Sequence, residues 1–142
     1  MPLLRYRTKD LTSLITEPCE CGRTNVRITR IIGRSDDMLI IRGINVFPSQ
    51  VESVILEMKE FEPQYMLVVD RQGNLDTLEV QVELRKELYT DEMGSLLNLK
   101  KKLADRLKSV LSISAQVKLM EPNSIPRSEG KSKRVIDKRI IK

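Results

Sequence analysis

The order of strand and helix signals between Met38 and Leu119 constrains the fold more than any other feature of this sequence. Met38 to Arg42 is a short apolar strand, and Gly43-Ile44-Asn45 reads as a loop. Pro48 suits the first turn of a helix, where its missing N–H would have no partner anyway. Val51, Val54, Ile55 and Met58 then fall at i, i+3, i+4 and i+7, one apolar helical face, with Pro63 closing the helical region. Tyr65-Met66-Leu67-Val68-Val69 reads as a strand and Gln72-Gly73-Asn74 as a turn. Leu78, Val80, Val82 and Leu84 alternate with Glu79, Gln81 and Glu83, so the pair makes a hairpin. Thr90 can cap a second helix, with Asp91 and Glu92 in its first turn and Leu96, Leu99, Leu103, Leu107 and Val110 along one side. Val117 and Leu119 mark another strand. The βαββαβ order predicts an α+β fold, a small antiparallel or mixed sheet with helices on one face. That fold hosts many activities, so it assigns none by itself.

The flanks are less regular. Pro18, Gly22 and Asn25 punctuate residues 1–25, which read as an extended arm with loops. Val26 to Ile32 is rich in β-branched residues and reads as a strand of a short hairpin, followed by a turn from Gly33 to Asp37. The division expected is residues 1–32 as an arm and first strand, and residues 33–142 as a second domain. Pro122, Asn123 and Pro126 open a polar loop, and Val135-Ile136 regains a short element. With 40% hydrophobic residues, only 4% aromatic ones and no Trp, the core must be built of Leu, Ile, Val and Met.

Several chemistries are excluded or weakened by residue type. The chain has no histidine, so no catalytic dyad or triad using one lies within it. No apolar run approaches the ~20 residues that span a bilayer. The start, Met1 to Arg7, lacks the apolar stretch of a signal peptide, so a cytoplasmic protein is expected, with no membrane contact. Seven basic and two acidic residues from Arg127 to Lys142 account for the whole net charge of +5. Such a tail can meet phosphates or simply be solvated. Gly130-Lys131-Ser132 looks like the end of a phosphate-binding loop, but Ile125 stands where that loop needs its first glycine. Cys19 and Cys21 are too close in sequence for an easy disulfide. They read as free thiols or as half of a zinc site.

Four segments resemble the adenylate-forming acyl-CoA ligases. Tyr6-Arg7-Thr8-Lys9-Asp10 is similar to that family's Tyr-Arg-Thr-Gly-Asp motif, with Lys9 in place of the glycine. Gly33-Arg34-Ser35-Asp36-Asp37, with Gly43 and Pro48 beyond it, resembles the hinge and loop motif. Ile125-Pro126-Arg127-Ser128-Glu129-Gly130-Lys131 resembles the carboxy-terminal catalytic-lysine motif. Cys19-Glu20-Cys21-Gly22-Arg23, and the whole stretch from that motif through Lys133-Arg134-Val135-Ile136-Asp137-Lys138-Arg139, look most like the phenylacetate-CoA ligase branch.

The resemblance implies the mobile carboxy-terminal part of an ATP-dependent, AMP-forming ligase, inactive without the rest. Such enzymes join a carboxylate to AMP, releasing pyrophosphate, and then pass the acyl group to the thiol of coenzyme A. It implies that Lys131 is catalytic in the first step, and that Asp10 and Arg34 meet the nucleotide. Asp36 would be the hinge and Gly43 would line the coenzyme A side. ATP, Mg2+ and coenzyme A would be held mainly by an amino-terminal adenylation domain, the expected partner beside an aromatic carboxylic acid; a homodimer is left open. The competing reading is a stand-alone binding module that contacts RNA or a nucleotide through its basic tail. Against it, no two of the chain's few aromatics form an exposed pair on one strand, and no nucleic-acid partner is expected.

Overall fold

The apolar face that begins after Pro48 forms helix α1 (Pro48–Glu57) in the computed structural model. That model describes residues 4–88, 93–127 and 134–139. Pro48 occupies the first turn, and the Phe47 N–H donates to Gln50 Oε1 at 3.0 Å, satisfying an amide at the helix start. Val51, Val54 and Ile55 are buried. The second helix, α2 (Met93–Leu111), buries Leu103, Leu107 and Leu111. Val110, expected on that stripe, is 37% exposed, whereas Leu111 is 4% exposed. A spacing of 3.6 residues carries the stripe from Leu107 to Leu111 rather than to Val110. The expected cap at Thr90, with Asp91 and Glu92, lies outside the described residues.

Both helices pack on the sheet built from β7 (Phe61–Gln72), β8 (Leu75–Leu84), β9 (Gln116–Met120) and β10 (Val135–Asp137). The strand order is β10-β7-β8-β9. β7 and β8 form the antiparallel hairpin, while β9 runs parallel to β8 and β10 parallel to β7. The expected α+β class and mixed sheet are therefore observed. Tyr65, Leu67 and Val69 of β7 and Leu78, Val80, Val82 and Leu84 of β8 share one buried face with α1 and α2. Pro63 falls inside β7 rather than closing the helix. The ladder with β8 is irregular between Phe61 and Tyr65, so the missing proline N–H breaks no regular pair. The short element expected at Val135-Ile136 is an edge strand of the main sheet.

Ahead of α1, β5 (Leu39–Ile41) and β6 (Ile44–Val46) form a hairpin of their own. β6 replaces part of the loop expected at Gly43 to Asn45. The linking turn is Arg42-Gly43, with φ of +52° and +78°, and Ile41 faces Ile44 across it. Two successive left-handed residues are the mark of a type I′ turn, whose twist matches that of the strands it joins. Arginine in that conformation costs roughly 1–2 kcal/mol.

The chain divides into two units, residues 1–38 and 39–142. Among its described residues unit one holds four two-residue strands: β1 (Asp10–Leu11), β2 (Leu14–Ile15), β3 (Arg27–Ile28) and β4 (Gly33–Arg34). They pair as β1 with β4 and β2 with β3, both antiparallel. The strand expected from Val26 to Ile32 is thus reduced to Arg27–Ile28, and Gly33–Arg34, expected as part of a turn, forms β4. Val26, Ile28, Ile31 and Ile32 are all half or more exposed, so no face of this segment is buried within its unit.

Candidate functional site

In unit one, Asp10 and Arg34 are direct partners on neighbouring strands, because Asp10 pairs with Arg34 and Leu11 with Gly33. The Arg34 guanidinium turns to Asp36, with Nε donating to Oδ1 at 3.1 Å and Nη2 to Oδ2 at 3.0 Å. This planar fork-to-carboxylate match is geometrically specific. Lys9 Nζ adds a cation 3.5 Å from Asp36 Oδ2. Burial works to raise the Asp36 pKa, but the Arg34 hydrogen bonds and the two nearby cations outweigh it and leave it lowered. Arg34 is correspondingly raised by its bonds to Asp36. Sequence reasoning named Asp10, Arg34 and Asp36 separately, and the β1–β4 ladder brings them together.

Lys9 departs from the glycine that the motif usually carries, and its φ is +65°. The position demands a left-handed residue, which glycine adopts freely and lysine does not. The conformation is tied down by Ser35, whose N–H donates to the Lys9 carbonyl at 2.8 Å and whose hydroxyl donates at 3.2 Å. Lysine retains the geometry and adds a charge against Asp36.

Cys19 and Cys21 bring their sulfurs to 3.0 Å, on a turn closed by the Gly22 N–H donating to the Cys19 carbonyl. The contact with Cys19, then a backbone bond at Arg23, lowers the Cys21 pKa and favours its thiolate. Among the described residues no group of three or more His, Cys, Asp or Glu could hold a metal ion. Two thiols do not complete the four-ligand set of a structural zinc.

In the second unit Gly43 sits at the tip of the β5–β6 hairpin. A Cβ built there meets nothing within 4 Å, so its left-handed φ, rather than crowding inside the chain, selects glycine. The hairpin makes polar ties to Asp76. Arg42 Nε donates to the Asp76 carbonyl at 2.7 Å. Arg139 Nη1 donates to the Ile40 carbonyl at 2.7 Å and to Asp76 Oδ2 at 3.0 Å. Arg71 Nε takes the other carboxylate oxygen at 2.8 Å. Arg139 also grips Asp137, with Nη2 to Oδ2 at 2.6 Å. Bonds from Arg71, then Arg139, hold the Asp76 pKa below the usual carboxylate value, and Asp137 first and Asp76 next raise that of Arg139. Sequence reasoning missed this network. Its members are scattered at positions 40, 42, 71, 76, 137 and 139, and no local spacing signals it.

Lys131 lies outside the described residues, but both flanks of its segment are anchored. On one side Glu83, fully buried, accepts from the Ile125 N–H at 2.7 Å and from Arg127 Nη2 at 3.1 Å. On the other, Arg134 pairs with Glu52 and donates to the Tyr65 hydroxyl at 3.2 Å, its guanidinium 4.8 Å from the Tyr65 ring centroid.

No helix among the described residues is long and apolar enough to cross a membrane. Phenylacetate-coenzyme A ligases from Thermus thermophilus and Escherichia coli are 46% and 48% identical to the chain, over 98% and 99% of its length. The chain spans about a third of those relatives. A crystal structure of 2-hydroxyisobutyryl-CoA ligase, in the postadenylation state with an acyl-AMP, matches with a TM-score of 0.81 and 34% identity. That match covers 93% of this chain and 28% of the ligase. The family model described as the AMP-binding enzyme C-terminal domain matches residues 43–139, from the Gly43 turn to the Arg139 network. With the fold and these similarities in agreement, the chain belongs to the carboxy-terminal domain family of AMP-binding enzymes.

Proposed function

We propose that this chain is the carboxy-terminal part of an AMP-forming aryl- or arylacetate-CoA ligase, with phenylacetate as the favoured acid. The observation that carries the reading is near-complete coverage: identity to phenylacetate-coenzyme A ligases runs through both units, over 98–99% of the chain. ATP, coenzyme A and the carboxylic acid are substrates of the whole enzyme, and an amino-terminal adenylation domain is the principal partner.

In the first half-reaction the substrate carboxylate attacks the α-phosphate of ATP, and pyrophosphate leaves. Two anions must approach, and the ammonium of Lys131 offsets their repulsion and stabilises the developing charge. Asp10 accepts hydrogen bonds from the ribose hydroxyls, as a carboxylate with open lone pairs can. Arg34 lies beside the same nucleotide, a role supported by its pairing with Asp10 across β1 and β4. Asp36 absorbs the backbone change between half-reactions. In support, the division between units follows Met38, two residues beyond Asp36. In the second half-reaction the thiol of coenzyme A attacks the acyl carbonyl and AMP leaves. The bare Gly43 turn leaves room for the pantetheine arm.

The test is a pair of half-reaction assays on the complete ligase carrying this chain. Lys131→Ala should lower acyl-adenylate formation by about 100-fold or more, the scale of losing one transition-state charge partner. Thioester formation from pre-made adenylate should be largely spared. Equal loss in both assays would remove Lys131 from this role.

A further inference from the structure

The β5–β6 hairpin that carries Gly43 forms no ladder with the four-stranded sheet. A two-stranded hairpin by itself is marginally stable in water, so its position must come from side chains. Ile41 and Val46 supply the apolar part by entering the core. The polar part converges on one residue, Asp76, near the turn of the β7–β8 hairpin. Arg42 reaches its carbonyl, and Arg139 joins its carboxylate to the Ile40 carbonyl.

We propose that Asp76, Arg42 and Arg139 form a clamp that positions the Gly43 turn for the thioester-forming step. The proposal rests on the reading of Gly43 as the coenzyme A-side element. Two observations carry it. Arg42 holds a left-handed backbone at a turn position where Asn, Asp or Gly is the ordinary choice. Its side chain does something those residues cannot, spanning to a carbonyl 34 positions away. Arg139 has a side chain only 11% exposed, yet it bridges a backbone oxygen and two carboxylates. A planar guanidinium can serve several oxygens at once in fixed directions, which an ammonium cannot. The chain is thus tied at residues 40 and 42, immediately before Gly43. Arg139 and Asp76 act through the turn, as positioning residues.

The experiment uses the complete ligase carrying this chain and follows each half-reaction separately for Arg42→Asn, Arg139→Met and Gly43→Asn. Asparagine tolerates a left-handed backbone, so Arg42→Asn keeps the turn while cutting its tie to Asp76. Gly43→Asn likewise keeps the backbone and adds a side chain where this chain has open space. Both arginine variants should lower kcat of thioester formation by about 10- to 100-fold, the effect of a misplacement near 1 Å. The KM for coenzyme A should move by less than about threefold, and adenylate formation by less than about twofold, because a misplaced turn affects only the step it serves. Should Arg139→Met not fold, Arg139→Lys replaces it with the same expected result.

Thioester formation within about twofold of the parent in both arginine variants, with Gly43→Asn slowed, would overturn the clamp and leave the turn's role standing. A slow Arg42→Asn beside a normal Arg139 variant would overturn it in favour of direct ligand contact by Arg42. Normal rates in Gly43→Asn would remove the coenzyme A-side reading and the clamp with it.

Discussion

Glu83 is the most exacting test of how the second unit is held together. Its carboxylate is wholly buried at the end of β8, and each oxygen has one donor: the Ile125 N–H at 2.7 Å and Arg127 Nη2 at 3.1 Å. Glu83→Gln keeps an oxygen for Ile125 but turns an amide N–H₂ toward a guanidinium. Arg127 is 51% exposed, so solvent screens much of the ion pair. The loss should then be near that of one charge-assisted hydrogen bond, about 1–2 kcal/mol. Glu83→Ala does more. It strands the Ile125 N–H in a buried site, frees Arg127 and leaves a void, together about 3–5 kcal/mol. Urea unfolding of the purified chain reads both. With a slope of roughly 1–3 kcal/mol per molar, Gln should lower the midpoint by about 1 M and Ala by at least about twice that. The slope itself should stay constant. If the two variants unfold at the same midpoint, the Ile125 bond does not carry the difference and the argument fails.

Three further outcomes follow from the geometry. Asp76 has a lowered pKa in the fold, so it binds protons less readily there than in the unfolded chain. Its contribution is complete above the ordinary carboxylate value of 3.8 and is lost as the pH falls through the lowered one; acid unfolding of Asp76→Asn should therefore show a shallower pH dependence below that value. Lys9→Gly should leave unit one as stable or stabilise it by up to about 1 kcal/mol, whereas Lys9→Val should cost roughly 1–3 kcal/mol. Hydrogen exchange at the Ser35 amide, which donates to the Lys9 carbonyl, reads both changes. Metal analysis of the complete protein tests the cysteine pair: zinc that disappears in Cys19→Ser would mean that residues beyond the described ones complete the site, and no zinc in the parent protein leaves Cys19 and Cys21 as thiols.

Much of this fold is written in local patterns. The periods of 3.6 and 2 locate α1, α2 and the β7–β8 hairpin, because burial on one face forces apolar residues into register with the backbone. Asp10, Arg34, Asp36 and Gly43 stand out in the sequence for a different reason: they fall at the positions of motifs that this chain resembles. Tertiary structure decided the rest. β5, legible as an apolar strand, stays outside the main sheet, and β10 pairs with β7, since partner choice depends on what the whole chain leaves uncovered. Lys9 is an ordinary surface residue until its φ is known, and only then does the usual glycine make sense. The Asp76 network and the burial of Glu83 were invisible in one dimension. Glu83 obeys the same alternation as Glu79 and Gln81, yet Ile125 and Arg127, more than forty residues away, return to cover it. Apolar patterning is a property of neighbours in sequence; a buried charge is defined by the donors that fold back to meet it.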